Sequence, residues 1–320
     1  MKVFVTRSIP ETGIELLKKQ GYAVTINPYD RVLTKAELID YIKKDRYDAL
    51  LPLLTDSIDS DVLDAIGPQC KIVANYAVGI DNINIAEAKK RGIIVTNTPG
   101  VLTEAVAEHT IAMLFAIADR LVEADRYMRE GKYKGWGPQL LLGADIAQKT
   151  LGIIGLGRIG YEVAKRMHRG FDSKIVYYDQ IRKEDAEREL KATYLSLDEV
   201  LAQSDFVCIC VSLTPQTKRL ITAERLRMMK PTAYLINTAR GAIIDEKALV
   251  LALQERRIAG AALDVFEHEP DMAPGLAELD TVVLAPHIGS ATIGTRSKMS
   301  EMAAQNIIAV LHGKPPINPV

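Results

Sequence analysis

The sequence predicts an α/β fold of two doubly wound parallel-sheet domains, and three observations predict it. Short β-branched runs alternate with stretches of helical spacing along the whole chain, the pattern of parallel strands covered by helices on both faces. The alternation restarts near the middle, at LGIIGLGRIG, residues 151–160. At 320 residues, 48% hydrophobic and 25% charged, the chain is long enough for two domains with separate cores.

In chain order, the strands expected in the first half are VFVT (3–6), AVTI (23–26), ALLPL (49–53), KIVAN (71–75) and GIIVTN (92–97). One helix among them opens with a capping box, Thr34 to Glu37, which supplies acceptors to its first amides. A long helical pattern follows over about 103–129, then GKYKGWGPQLLLGADIAQK (131–149). That connection has no strand periodicity and is too apolar for a free linker, so it is expected to pack on something, such as a partner subunit. Six strands are expected in the second half: LGII (151–154), KIVYY (174–178), DFVCICV (205–211), AYLIN (233–237), GAALD (260–264) and TVVLA (281–285). A last helix over about 292–311 has no sheet of its own nearby and is expected to cross back to the first domain before the Pro-rich end KPPINPV.

Composition narrows the function. Forty Lys+Arg against 41 Asp+Glu leave a formal charge of -1, so no global basic field attracts nucleic acid or an anionic membrane. The longest apolar runs, such as IAMLFAIA (111–118), fall well short of the ~20 residues of a bilayer crossing. MKVFVTR reads as a strand rather than a secretory signal, and the expected location is the cytoplasm. Cys208 and Cys210 alternate along one strand and read as core thiols, since no metal-binding spacing accompanies them; no metal is expected.

In an open parallel sheet, ligands bind beyond the carboxyl ends of the strands. After LGII come Gly155, Gly157 and Gly160, opening a helix whose apolar positions are Ile159, Val163, Ala164 and Met167. The first glycine permits a tight turn, the second lets a pyrophosphate approach the backbone, and the third lets helix and strand press together. Such a motif alone is weak. After KIVYY, however, comes Asp179, nineteen residues beyond Gly160, where an acid binding an adenosine ribose hydroxyl is expected. Dinucleotide binding is therefore predicted. Asp179 would repel a 2′-phosphate and favours NAD, whereas Arg182 and Lys183 in the same loop would allow NADP.

Further along, Arg240 follows AYLIN and Glu269 lies in the loop after GAALD. His287 follows TVVLA, alone among the five histidines in standing at a strand end; His109 and His168 lie in helical patterns that suit structural roles. Arg240 either projects a planar bidentate donor toward a ligand or makes a surface ion pair. Arg, Glu and His after three consecutive strands form a candidate catalytic constellation.

The motifs GLGRIG, NTARG (237–241), DVFEHEP (264–270) and PHIGSAT (286–292), in this order and spacing, resemble the D-isomer-specific 2-hydroxyacid dehydrogenases over essentially the whole chain. YAVGIDNINI (76–85) and TNTPGVLTEAVAEHT (96–110) are most similar to the glyoxylate/hydroxypyruvate reductases of that family. The resemblance implies a Rossmann NAD(P)-binding domain, residues 99–287, inserted into a flavodoxin-like substrate domain of residues 1–98 and 288–320, which explains the mid-chain glycine motif. It also implies a homodimer built on the 103–129 helix and the arm after it.

By the same resemblance, Arg240 binds the carboxylate and carbonyl of a 2-oxo acid, His287 gives its proton to the carbonyl oxygen, and Glu269 bonds the imidazole. A neighbouring carboxylate favours imidazolium, which is the acid that reduction needs. Val78 and Gly79 amides are implied to hold the substrate carboxylate, with Leu53 also on the substrate. The implied NAD contacts, NADH favoured over NADPH, are Thr103, Gly155, Gly157, Arg158, Ile159, Gly160, Asp179, Thr214, Thr238, Ala239, Arg240, Asp264, His287 and Gly289.

The sequence departs from the family at Gly-Phe-Asp-Ser (170–173) and Cys-Val-Ser-Leu (210–213), near the adenine pocket. Residues 49–57 offer no Arg for a substrate phosphate, which favours a small unphosphorylated acid such as glyoxylate or hydroxypyruvate. The competing readings are a phosphoglycerate or D-lactate-type dehydrogenase and, in another class, an NAD-sensing corepressor-like binding protein.

Overall fold

A computed structural model describes residues 1–320. The chain runs β1 (Lys2–Val5), α1 (Glu11–Lys19), β2 (Ala23–Ile26), α2 (Lys35–Lys43), β3 (Ala49–Leu51), α3 (Ser60–Ile66), β4 (Ile72–Ala74), α4 (Ile85–Lys90), β5 (Ile94–Thr96), α5 (Thr103–Ala118) and α6 (Leu121–Arg129). It continues through β6 (Thr150–Ile154), α7 (Arg158–Phe171), β7 (Lys174–Tyr178), α8 (Glu184–Leu190), β8 (Thr193–Tyr194), α9 (Leu197–Gln203), β9 (Phe206–Ile209), α10 (Ala223–Met228), β10 (Tyr234–Asn237), α11 (Glu246–Gln254), β11 (Gly260–Leu263), β12 (Val282–Leu284) and α12 (Ile293–Leu311). It forms two compact units, residues 1–102 with 290–320 and residues 103–289, whose bounds lie a few residues from those expected.

In the first unit the sheet order is β2-β1-β3-β4-β5, with every pairing parallel. Strand runs such as Val3-Phe4-Val5 are buried on both faces, as a helix-covered parallel sheet requires. The capping box of α2 forms as its sequence predicts: Glu37 N–H donates to Thr34 Oγ1 (3.3 Å) while Thr34 N–H donates to Glu37 Oε2 (2.9 Å). Helix α12 packs on α1, where Gly13 is required because a Cβ there would lie 2.2 Å from the Ser300 carbonyl oxygen. Ser300 locks the seam by accepting from Gly13 N–H (3.1 Å) and donating to the Pro10 carbonyl (2.7 Å).

The second unit is a sheet of order β12-β11-β10-β9-β6-β7-β8, again wholly parallel. Sequence analysis expects six strands here and the structure has seven; the extra one, β8, is two exposed residues long, too short to leave a periodic signal. Strand order reverses between β6 and β9, so the ligand crevice of such a sheet lies beyond those two strand ends.

The helix expected over 103–129 is broken. Arg120 takes a left-handed φ of 54°, separating α5 from α6. The carbonyl of Ala118 accepts from Ala144 N–H (2.9 Å) of the following arm, so it is satisfied without a continuing helix. Gly143 makes this possible, because a Cβ there would meet that same oxygen at 2.3 Å.

Candidate active site

The glycine loop after β6 has the geometry a dinucleotide needs. Gly155 has φ 94°, and a Cβ on it would lie 2.6 Å from Val211 Cγ1 and 2.8 Å from Val211 N, beyond the end of β9. A Cβ on Gly160 would lie 2.2 Å from the Gly155 carbonyl oxygen, so only glycine lets α7 press on the loop. Around Gly157 the space is open, and this residue caps the fourteen-residue α7 without any side-chain bond, leaving the first amides of Arg158 and Ile159 available to an anion. These residues fit a pyrophosphate.

Asp179 follows β7 and reaches the loop itself. Its Oδ2 accepts from Leu156 N–H (2.9 Å), and its Oδ1 accepts a long bond from Ile181 N–H (3.3 Å). The carboxylate thus braces the glycine turn and stays partly exposed. Two of its implied companions are already engaged: Thr214 with Thr217 through reciprocal bonds of 2.8 and 3.2 Å, and Thr238 with Thr110 at 2.6 Å between hydroxyls. Thr103 is half-buried as the first residue of α5.

Arg240, Glu269 and His287 follow β10, β11 and β12, three neighbouring strands. The structure brings Glu269 and His287 together, with Glu269 Oε2 2.9 Å from His287 Nδ1. The Glu269 carboxylate also accepts from Phe266 N–H (3.2 Å), and its peptide with Pro270 is cis. Arg240 is half-buried; its Nη1 donates to the Ala239 carbonyl (2.8 Å), while buried Asn237 holds the turn by accepting from Ala239 N–H (3.0 Å) and donating to the Arg240 carbonyl (2.9 Å). Gly241 then lies against the next loop, where a Cβ would come within 1.9 Å of the Phe266 carbonyl carbon.

His287 sits in the left-handed region at φ 54°, a conformation that costs about 1–2 kcal/mol for a residue with a Cβ. Asp264 holds it there. The Asp264 carbonyl accepts from His287 N–H (2.8 Å), and its fully buried carboxylate accepts from Ile288 N–H (2.7 Å) and Gly289 N–H (2.8 Å). Gly289 is tightly placed, a Cβ there lying 3.1 Å from Asp264 Oδ2. Burial pushes the Asp264 carboxyl up, but His109 and the two amides outweigh it and hold the group below its ordinary value.

Three supporting residues were not singled out as site residues from sequence. His109, read as structural, places Nε2 3.4 Å from Asp264 Oδ1, an ion-pair separation without hydrogen-bond alignment. Asn237 makes an Asx turn, which the order Asn-Thr-Ala-Arg-Gly could have disclosed. Buried Glu246, on α11, accepts from Glu267 N–H (2.5 Å) and Ala273 N–H (2.6 Å) and so pins the loop that carries Glu269; no sequence signal marks it.

Within the first unit, Leu53, Val78 and Gly79 belong to one network. Asn97 Nδ2 donates to the Val78 carbonyl (2.8 Å) and Asn75 Nδ2 to the Gly79 carbonyl (2.8 Å). Because trans peptides set N–H opposite C=O, the Gly79 and Ile80 amides face away from those asparagines. Asn82 Nδ2 donates to the carbonyls of Leu53 and Asp56 (3.1 Å each), and Asp56 Oδ2 accepts from Leu53 N–H (2.7 Å) and the Thr6 hydroxyl (2.5 Å). The cysteines take no part: burial pushes Cys70 and Cys210 up to about 12 and raises Cys208 as well.

Comparison with known proteins agrees with this geometry. Residues 111–289 match the family model for the NAD binding domain of D-isomer specific 2-hydroxyacid dehydrogenases. Glyoxylate reductase of Thermococcus kodakarensis is 50% identical over 98% of this chain and 94% of its own length. Among solved structures, the TT0316 protein of Thermus thermophilus has 43% identity and a TM-score of 0.92, with full coverage of both chains. An NADPH-dependent glyoxylate/hydroxypyruvate reductase from Sinorhizobium meliloti, in complex with NADP and malonate, has 32% identity and a TM-score of 0.86 over 100% of this chain and 96% of that one. The glycine cradle, the acid nineteen residues beyond it, and the Arg, Glu and His at three neighbouring strand ends therefore have one common explanation: the chain belongs to the D-isomer-specific 2-hydroxyacid dehydrogenases.

Proposed function

We infer that this chain catalyses the NAD(P)H-dependent reduction of a small 2-oxo acid, glyoxylate or hydroxypyruvate, to the D-2-hydroxy acid. The observation that carries the mechanism is the imidazole of His287, held through Nδ1 by Glu269 at 2.9 Å, with Arg240 following β10, two strands along the same sheet. A bound nicotinamide supplies the hydride. With Nδ1 engaged, Nε2 is the nitrogen left to give a proton to the carbonyl oxygen in reduction, and to take it back from the hydroxyl in the reverse direction. Arg240 supplies a planar fork for the carboxylate and carbonyl of the acid. In the first unit, the amides of the Val78-Gly79 segment, turned by Asn97 and Asn75, are proposed to bind a carboxylate, with Leu53 as an apolar wall.

Asp179 supports NADH over NADPH, because its partly exposed carboxylate repels a second phosphate on the ribose. Exposed Leu121, Val122, Met128, Trp136 and Leu142, on α6 and the arm after it, support a homodimer, Trp136 being 83% exposed in the single chain. No helix is long and apolar enough to cross a membrane, and a cytoplasmic location is part of the proposal.

The deciding experiment follows nicotinamide absorbance with a panel of 2-oxo acids, both cofactors and the His287→Asn variant, which tolerates the left-handed backbone at that position. Turnover of glyoxylate or hydroxypyruvate, lost by about a hundredfold or more in the variant, is expected. A higher kcat/KM for phosphohydroxypyruvate than for glyoxylate would overturn the substrate, and binding of NADH without turnover of any acid would favour a cofactor sensor. Light scattering checks the dimer.

A further inference from the structure

The loop after Asp179 carries Arg182, one of the two cations that would favour a 2′-phosphate, and the structure shows its guanidinium restrained. Arg182 stands three residues beyond Asp179, in the loop where an arginine meets the 2′-phosphate of NADP in dinucleotide folds. Its guanidinium is already clamped by Glu187 on α8: Nε donates to Oε1 (2.8 Å) and Nη2 to Oε2 (2.7 Å), a bidentate pair. Glu187 is fixed in turn from below. Tyr177, the fully buried fourth residue of β7, donates its hydroxyl to Glu187 Oε1 (2.8 Å) and accepts from Lys183 N–H (2.7 Å).

The chain thus spends a buried phenol, a carboxylate and a backbone amide on the posture of one arginine. Burial pushes the Tyr177 phenol up to about 12, so it remains a donor, and Arg182 followed by Tyr177 holds the Glu187 carboxyl below its ordinary range. At neutral pH the clamp is an ion pair whose two charges cancel, leaving the guanidinium spoken for. A 2′-phosphate would face the Asp179 carboxylate with Arg182 already paired.

We propose that Glu187 is a specificity-determining residue that disfavours NADPH by holding Arg182 in a bidentate pair anchored on Tyr177. This rests on the reading of Asp179 as the ribose-binding acid and deepens it. Glu187 touches neither reacting group nor ribose; it acts through Arg182. The Arg182 side chain is 62% exposed, so the pair is of the modest strength that a single substitution can undo.

The test measures dissociation constants for NADH and NADPH by fluorescence titration on the full-length protein. Glu187→Gln keeps an acceptor for Tyr177 while removing the charge and should lower the ratio Kd(NADPH)/Kd(NADH) by about threefold or more. Glu187→Ala should move the ratio in the same direction. Adding Arg182→Ala to either variant should abolish the gain, and raising salt should shrink it. Because both constants come from one preparation, the ratio is independent of the fraction of folded protein. A smaller change in both Glu187 variants, or a gain that persists without Arg182, would overturn the proposal. Asp179→Ala separates the two levels: if it leaves NADH affinity untouched, the ribose reading fails, whatever Glu187 does.

Discussion

Both units bury an aspartate under a strand-end loop, Asp56 in the first and Asp264 in the second, and the two are driven in opposite directions. Asp56 in the first unit is raised above its ordinary value by burial, with the Thr6 hydroxyl and Leu53 N–H as its only close donors, both on one oxygen. Asp264 in the second unit is also buried yet lowered, because His109 faces it and both oxygens accept a backbone N–H. The partners set against burial, His109 foremost at Asp264, decide which form the protein stabilises. The first unit adds neutral asparagines, Asn75 and Asn82, to Asp56 in tying its loops, whereas the second ties the loops of Glu269 and His287 with Glu246 and Asp264.

Asp264→Ala should break the comparison most severely. It strands two loop amides, each costing about 1–3 kcal/mol, and frees a left-handed His287, so kcat should fall by about a hundredfold with a marked loss of stability. Steady-state kinetics and denaturant unfolding check both. Glu246→Ala leaves the amides of Glu267 and Ala273 unpaired and should cost about 2 kcal/mol in unfolding, with a smaller loss of kcat through the Glu269 loop. Asn82→Ala, in the neutral network, should cost about 1–2 kcal/mol and raise KM more than it lowers kcat; an unchanged KM would show that the Leu53 loop is not on the substrate.

The mildest change sharpens the comparison. In Asp56→Asn a single amide oxygen can keep both donors, so stability at neutral pH should be unchanged or raised by up to about 1 kcal/mol. The signs with pH are opposite. Asp264, lowered on folding, contributes stability above the ordinary carboxylate range that disappears as pH falls through its folded value. Asp56, raised on folding, opposes the folded state above its folded value, a penalty removed as pH falls. Unfolding curves at mildly acidic and neutral pH should therefore show Asp56→Asn gaining less over wild type at the acidic end.

How much of this was legible follows from what leaves a local mark. Strand runs, the capping box at Thr34 and the three glycines of the dinucleotide loop are local patterns, and the structure contains each of them. The pairing of Glu269 with His287 depends on which strands lie side by side, and its expectation came from family resemblance rather than from spacing. Glu246 and His109 looked like ordinary helix residues because their partners are 21 or more positions away. The break at Arg120 was hidden for the same reason, since the amide that ends α5 comes from Ala144.

The positive φ of His287 has a consequence for how this enzyme can be dissected. Alanine at that position removes the imidazole but keeps the Cβ that the left-handed backbone resists, so its kinetics mix lost chemistry with a loop seeking another shape. Asparagine, which tolerates that region, is the fairer reference, and glycine would relax the turn altogether. A variant can thus become sturdier and inert in one step, and melting temperature alone would misreport it as an improvement.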